Sequence, residues 1–199
     1  MPDLRIDPAL ALLELDSIAA GIAAGDAMAK RAPIDVLRAG TVHPGKFLVL
    51  VGGSVGDVEE ALAAGREVGA ASVRDIVFLP DAHPELVAAI GGTCREAAGE
   101  ALGVIETATV AAILEAADAG LKGARVRLVE LRLADDLGGK GYLLFDGSVT
   151  TFLEDRDMLE AQQKNLDGGV IDGLVDINAD TAQLQARRIL ADMMRAERA

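Results

Sequence analysis

The chain repeats itself, and the repeat limits the fold more than any other feature. Residues 9–32, ALALLELDSIAAGIAAGDAMAKRA, align with residues 101–124, ALGVIETATVAAILEAADAGLKGA, with ten of 24 positions identical at an offset of 92. Six of those ten are alanine and carry little weight in so alanine-rich a chain. Leu10/Leu102, Glu14/Glu106, Asp26/Asp118 and Lys30/Lys122 carry more. Further on, GKFLVLVGGSV (45–55) aligns with GKGYLLFDGSV (139–149), six of 11 positions identical at an offset of 94. The second copy therefore holds two extra residues just before its Gly-Lys. A tandem duplication in 199 residues points to two small domains of one plan, placed at 1–97 and 98–199, with the seam in GGTCREAAGE, 91–100.

Each copy carries the same order of elements. The apolar run Ala9–Leu15 reads as a buried strand. Ser17 can cap a helix running to Arg31, with Ile18, Ile22 and Met28 among its apolar positions. Ile34–Thr41 and Lys46–Val51 read as strands flanking an HPG turn. Ser54 and Asp57 have capping-box spacing at the start of a second helix. A fourth strand, Arg74–Leu79, ends at Pro80, and Pro84 suits the first turn of a short helix. The second copy predicts strand 102–106, helix 109–122, strands 125–133 and 140–145, helix 149–165 and strand 170–177, then a terminal helix from Asp180 to Arg195. Strand–helix–strand–strand–helix–strand, twice, is an α+β chain of two tandem ferredoxin-like (split βαβ) domains.

Composition narrows the partners. The net charge of −13 disfavours nucleic acid and anionic membrane surfaces, both of which select basic patches. Cys94 is the single cysteine, so no intrachain disulfide forms. The acidic start MPDLRIDPALALLELDS lacks the positive charge of a signal peptide, and no apolar run approaches the ~20 residues of a membrane span. A cytosolic, soluble protein is expected. Yet 51% of the chain is hydrophobic and only 3% aromatic, an apolar fraction that suggests surface buried against partners.

GTVHPGKF, 40–47, spells most of a phosphate-binding P-loop but lacks its chemistry. Phe47 stands where a Ser or Thr must hold magnesium, and FLVLVGG leads into a strand rather than a helix N-terminus. The segment is a turn between two strands, presented twice per chain.

The strand–helix segment ALGVIETATVAAILEAADAGLKGA resembles the opening of a bacterial microcompartment (BMC) shell domain, and residues 9–32 resemble it more loosely. The whole chain is similar to the unpermuted tandem-domain shell proteins, of the propanediol-utilisation type. The resemblance implies a homotrimer that imitates a hexamer, assembling with other shell tiles into a compartment wall in the bacterial cytoplasm. It also implies a central pore for small metabolites, lined by Val42, His43, Pro44 and Gly45 from the first copy and Leu137, Gly138 and Gly139 from the second. Lys30 and Lys122 fall where the family has tile-edge lysines; as cations near helix C-termini they also suit the macrodipole. Asp135 and Asp136 lie in the insertion beside the second turn. The family's edge arginine, from a P-R-P-H stretch, is absent: PDAH has Asp81.

Relatives of the propanediol type carry CPGKF, whose cysteines hold an iron–sulfur cluster; this chain has HPGKF, and Cys94 at the seam is no substitute. No cofactor is expected, unless three His43 imidazoles around a threefold axis bind a transition metal. His83, before Pro84, reads as local structure. No catalytic constellation emerges from two histidines and one cysteine, and Glu59-Glu60 reads as solvent-facing charge. Two other readings stay open: a redox tile with a metal centre at the pore, and a ferredoxin-like small-molecule sensor.

Overall fold

The computed structural model describes residues 8–134 and 138–152. The first copy runs β1 (Ala9–Leu15), α1 (Ile18–Arg31), β2 (Asp35–Val42), β3 (Lys46–Gly53), α2 (Val55–Gly69), β4 (Val73–Leu79) and α3 (Pro84–Ile90). Its strands pair antiparallel in the order β2-β3-β1-β4, the ferredoxin-like arrangement expected from the element order. The second copy gives β5 (Ala101–Thr107), α4 (Val110–Gly123), β6 (Arg127–Leu133) and β7 (Gly141–Gly147), in the equivalent order β5-β7-β6. A helical turn opens at 149–152, where Ser148 Oγ accepts from Thr151 N at 3.1 Å, at the position corresponding to Ser54. The remainder of the helix expected to 165, the strand at 170–177 and the terminal helix lie outside the described residues.

The helix starts follow from their caps. Ser17 Oγ accepts from Ala20 N at 3.3 Å and Thr109 Oγ1 from Ala112 N at 3.2 Å. Ser54 Oγ accepts from Asp57 N at 3.3 Å and donates to the Asp57 carboxylate at 2.6 Å, a variant of the capping box. His83 caps α3 through Nδ1, which accepts from Glu85 N at 3.2 Å, so this histidine is structural as expected.

β1 is buried along its whole length, because its two faces serve two different cores. Ala9, Ala11, Leu13 and Leu15 pack with Ala24 and Met28 of α1 and Val58 and Ala61 of α2. Leu10 and Leu12 join Leu48, Leu50, Val77 and Leu79 against Val110, Ile113, Leu114, Ala117 and Leu121 of α4. The first sheet is therefore a middle layer: its own helices cover one face, and the second copy's helix lies against the other.

Of the three apolar positions read on α1, only Met28 is buried. Gly21 lies close against β3, where a Cβ would stand 2.5 Å from the Phe47 side chain. The second copy exchanges the bulk: Ile113 occupies the position of Gly21, Gly141 that of Phe47, and these two are in contact. Ile18 and Ile22 are left on the open flank of α1.

At the seam, Asp146 takes Ala98 N at 2.7 Å, Gly99 N at 3.0 Å and the Arg127 guanidinium at 2.5 and 2.9 Å. Burial pushes its pKa up, but these donors outweigh burial and hold the carboxyl below its ordinary range. Arg95 N also donates to Val129 O at 3.1 Å, so the connecting segment is tied to the second sheet.

Candidate functional site: paired turns over an interdomain junction

The first turn joins β2 to β3 with Val42 opposite Lys46 in register and Gly45 N donating to Val42 O at 3.1 Å. Gly45 has φ +89°, a conformation that costs a side-chain-bearing residue strain. The turn leads into a strand, so the P-loop reading is excluded by context as well as composition.

His43, Pro44 and Gly45 are exposed at the tip, whereas Val42 faces inward and belongs to the core shared by the two copies. Of the second turn, Gly138 is exposed and Gly139 buried, with φ +62° and +82°. Leu137, Asp135 and Asp136 lie outside the described residues. The two turns of one chain sit side by side. A Cβ on Gly139 would stand 2.8 Å from both His43 O and Pro44 Cδ.

Beneath the turns lies a junction that sequence reading did not assemble. Lys46 Nζ donates to Glu14 Oε1 at 2.6 Å and to Gly139 O at 3.0 Å, so it connects β1 with the second turn. Glu14, fully buried, turns its other oxygen to the N-terminus of α4, accepting from Val110 N at 2.7 Å and Ala111 N at 3.4 Å. The first orphan N–H groups of α4 are thereby satisfied by a carboxylate at the positive end of the helix dipole.

Around this centre, the Thr109 hydroxyl donates to Asp75. His83 N donates to Asp118 Oδ1 at 2.8 Å, and Lys122 pairs with Asp118 at 2.6 Å while also donating to the Asp81 carbonyl. Burial, with the Asp75 charge nearby, pushes the Glu115 pKa up. Glu14 and Lys46 were legible as repeat identities, but pairing across 32 residues was not. The two edge lysines diverge. Lys122 holds the first copy's loop, and Lys30 pairs with Asp26 at 2.6 Å on an exposed surface.

The repeat-related surfaces are as unlike as their sequences are alike. Leu114 on α4 is 0% exposed, but its counterpart Ile22 on α1 is 59% exposed. Leu10 on β1 is 1% exposed, and its counterpart Leu102 on β5 is 56% exposed. Glu106 and Lys140 form an ion pair as Glu14 and Lys46 do, yet theirs lies open to solvent.

Comparison with known proteins gives the family. The BMC domain model matches residues 9–81 and 101–151. This chain belongs to the BMC-domain family. It holds two BMC domains in tandem. It is 41% identical over 142 residues, 71% of this chain and 77% of the other, to the bacterial microcompartment shell protein PduT of Citrobacter freundii. A crystal structure of a microcompartment protein from Desulfitobacterium hafniense DCB superposes with a TM-score of 0.66 at 38% identity, over 78% of this chain and 88% of that one. A second family model, the vanillate O-demethylase oxygenase C-terminal domain, matches 143–196, mostly beyond the described residues.

The residues of the first BMC turn do not fit a thiolate-held cluster. His43 offers an imidazole, and the single thiol, Cys94, lies on the seam whose neighbour Arg95 is bonded to β6. Among the described residues, no three metal-ligating side chains gather within one chain.

Proposed function

We propose that this BMC-domain protein is a structural tile of a microcompartment wall: three chains close head to tail into a ring of six BMC domains around a pore. The domains meet between residues 97 and 98, and the tile takes its place beside other shell proteins inside the bacterial cytoplasm. The observation that carries this reading is the mismatch between repeat-related faces. Within the chain, α4 of one domain seats on the sheet of the other; the matching α1 flank and β5 face stand open at the two ends. A face-to-face dimer would need one self-complementary patch, whereas these are two different patches and call for a heterologous contact. Such a contact closes into a ring or runs on as a filament. Likeness to a shell protein and a microcompartment protein supports closure.

In this ring the adjacent turns line the pore, with His43, Pro44, Gly45 and Gly138 presented at the tips. Small metabolites pass through it, and the protein contributes structure rather than catalysis. Lys30 is offered outward at the tile edge. Three His43 imidazoles around the axis offer a shared donor set for a transition metal. Metal at about one ion per three chains after purification supports that site; its absence from the intact ring leaves a plain pore.

Electron microscopy of the purified full chain tests the proposal. Hexagonal discs or sheets with a central opening are expected. Single chains or compact dimers at high concentration overturn it.

A further inference from the structure

We infer that Glu106 and Lys140 are the ring-closing latch: Glu106 caps the N-terminus of α1 of a second copy, and Lys140 holds that copy's His43 turn through the Gly45 carbonyl. The inference rests on the proposed ring and names the chemistry of its interchain contact.

The contacts of Glu14 and Lys46 have repeat-related counterparts: the ion pair is formed in the second copy, and its bonds to a helix N-terminus and to a turn carbonyl are not made among the described residues. Glu14 corresponds to Glu106, Lys46 to Lys140, Val110 and Ala111 to Ile18 and Ala19, and Gly139 to Gly45. The acidic and basic partners already meet in the second copy, since Lys140 Nζ is paired with Glu106 Oε1. That pair is exposed, with nothing seated over it.

On the other side, α1 presents the corresponding helix end. Ser17 satisfies the Ala20 N–H, as Thr109 satisfies that of Ala112. The N–H groups of Ile18 and Ala19 have no protein acceptor among the described residues, whereas those of Val110 and Ala111 have Glu14. A carboxylate without its helix N-terminus and a helix N-terminus without its carboxylate thus sit at opposite ends of one molecule.

The flanking surfaces agree. Leu102 and Val104 on β5, and Ile18 and Ile22 on α1, are exposed where Leu10, Leu12, Val110 and Leu114 are buried. The occupant of the latch is therefore a second copy of this chain, entered by its first helix. The latch also bears on the pore, because Gly45 ends the turn that carries His43.

The test compares the full-length wild type with Glu106→Gln and Lys140→Met by concentration-dependent sedimentation. Hydrogen exchange of the Ile18 and Ala19 amides is followed in the same samples. Both substituted side chains are exposed, and circular dichroism checks that each variant folds. The expected result is a wild-type trimer whose association weakens about tenfold or more in Glu106→Gln, the scale of losing a charge-assisted hydrogen bond. Exchange at Ile18 and Ala19 should speed up in that variant, while Lys140→Met weakens association with exchange changing mainly near Gly45. A trimer that keeps both its association constant and its exchange pattern in these variants overturns the latch and leaves the ring standing. A wild type that never associates overturns the ring, and the latch with it.

Discussion

The glutamate–lysine pairs Glu14–Lys46 and Glu106–Lys140 are repeat-related residues in different surroundings. Glu14–Lys46 is buried beneath the end of α4, and Glu106–Lys140 is open to solvent. The two residues themselves cannot be the cause, because the repeat preserves both. The cause is connectivity: a chain of two domains has one internal junction, and its other half-junctions need another molecule. Ile18 and Ile22 on α1, with Leu102 and Val104 on β5, are accordingly left exposed on the faces whose repeat-related partners are buried.

The largest effect should come from removing the buried member of the comparison. Glu14→Ala strands the Lys46 ammonium and two N–H groups of α4, and should cost about 3–5 kcal/mol in chemical denaturation at concentrations below association. Glu106→Ala under the same conditions should change the chain's own stability by no more than about 0.5 kcal/mol. Equal losses would erase the distinction.

The apolar pair gives the next contrast. Leu114→Ala opens a cavity where the two copies meet and should cost about 2–5 kcal/mol, against at most about 0.5 kcal/mol for Ile22→Ala in the dissociated chain.

The turns sharpen the comparison further. Gly139→Ala meets both positive φ and the crowding of His43 and Pro44, and should cost about 1–3 kcal/mol. Gly45→Ala has the same φ problem with open space around it, so in the dissociated chain its thermal unfolding should shift less.

The smallest effect concerns pH. Glu115 has its folded-state pKa raised, so its neutral form is favoured in the fold; its contribution is complete below the ordinary glutamate range and lost as pH rises through the raised value. Glu115→Gln should therefore stabilise the α4 contact slightly at neutral pH and make no difference below the ordinary glutamate range, by melting temperature. Asp146 has the opposite sign. Its lowered pKa contributes stability above the ordinary aspartate range, lost only as pH falls through the depressed value, so acid should loosen the seam last.

Much of the fold was legible because repetition doubles every signal. Strand β1, the Ser17 and Ser54 caps, Pro84 and the hairpin turn were each readable from local residues, and the second copy checked most of them. The placement of one copy against the other was not readable. Ile22 and Leu114 occupy the same helical position with the same aliphatic character, yet one is exposed and one buried. Val42 was expected at the pore from the family resemblance, and in the single chain it is buried in the core shared by the two copies. Such outcomes depend on which surface reaches which across some ninety residues, information that neither periodicity nor capping carries.

The central claim, that the α1 flank is covered by a second copy, is tested most directly by light scattering of the wild type beside Ile22→Asp. Ile22 is exposed in the single chain, so its substitution should leave folding intact. The account predicts a wild-type particle of three 20.6 kDa chains and a well-folded monomer for the variant. Three chains in both, or one chain in both at high concentration, would contradict it.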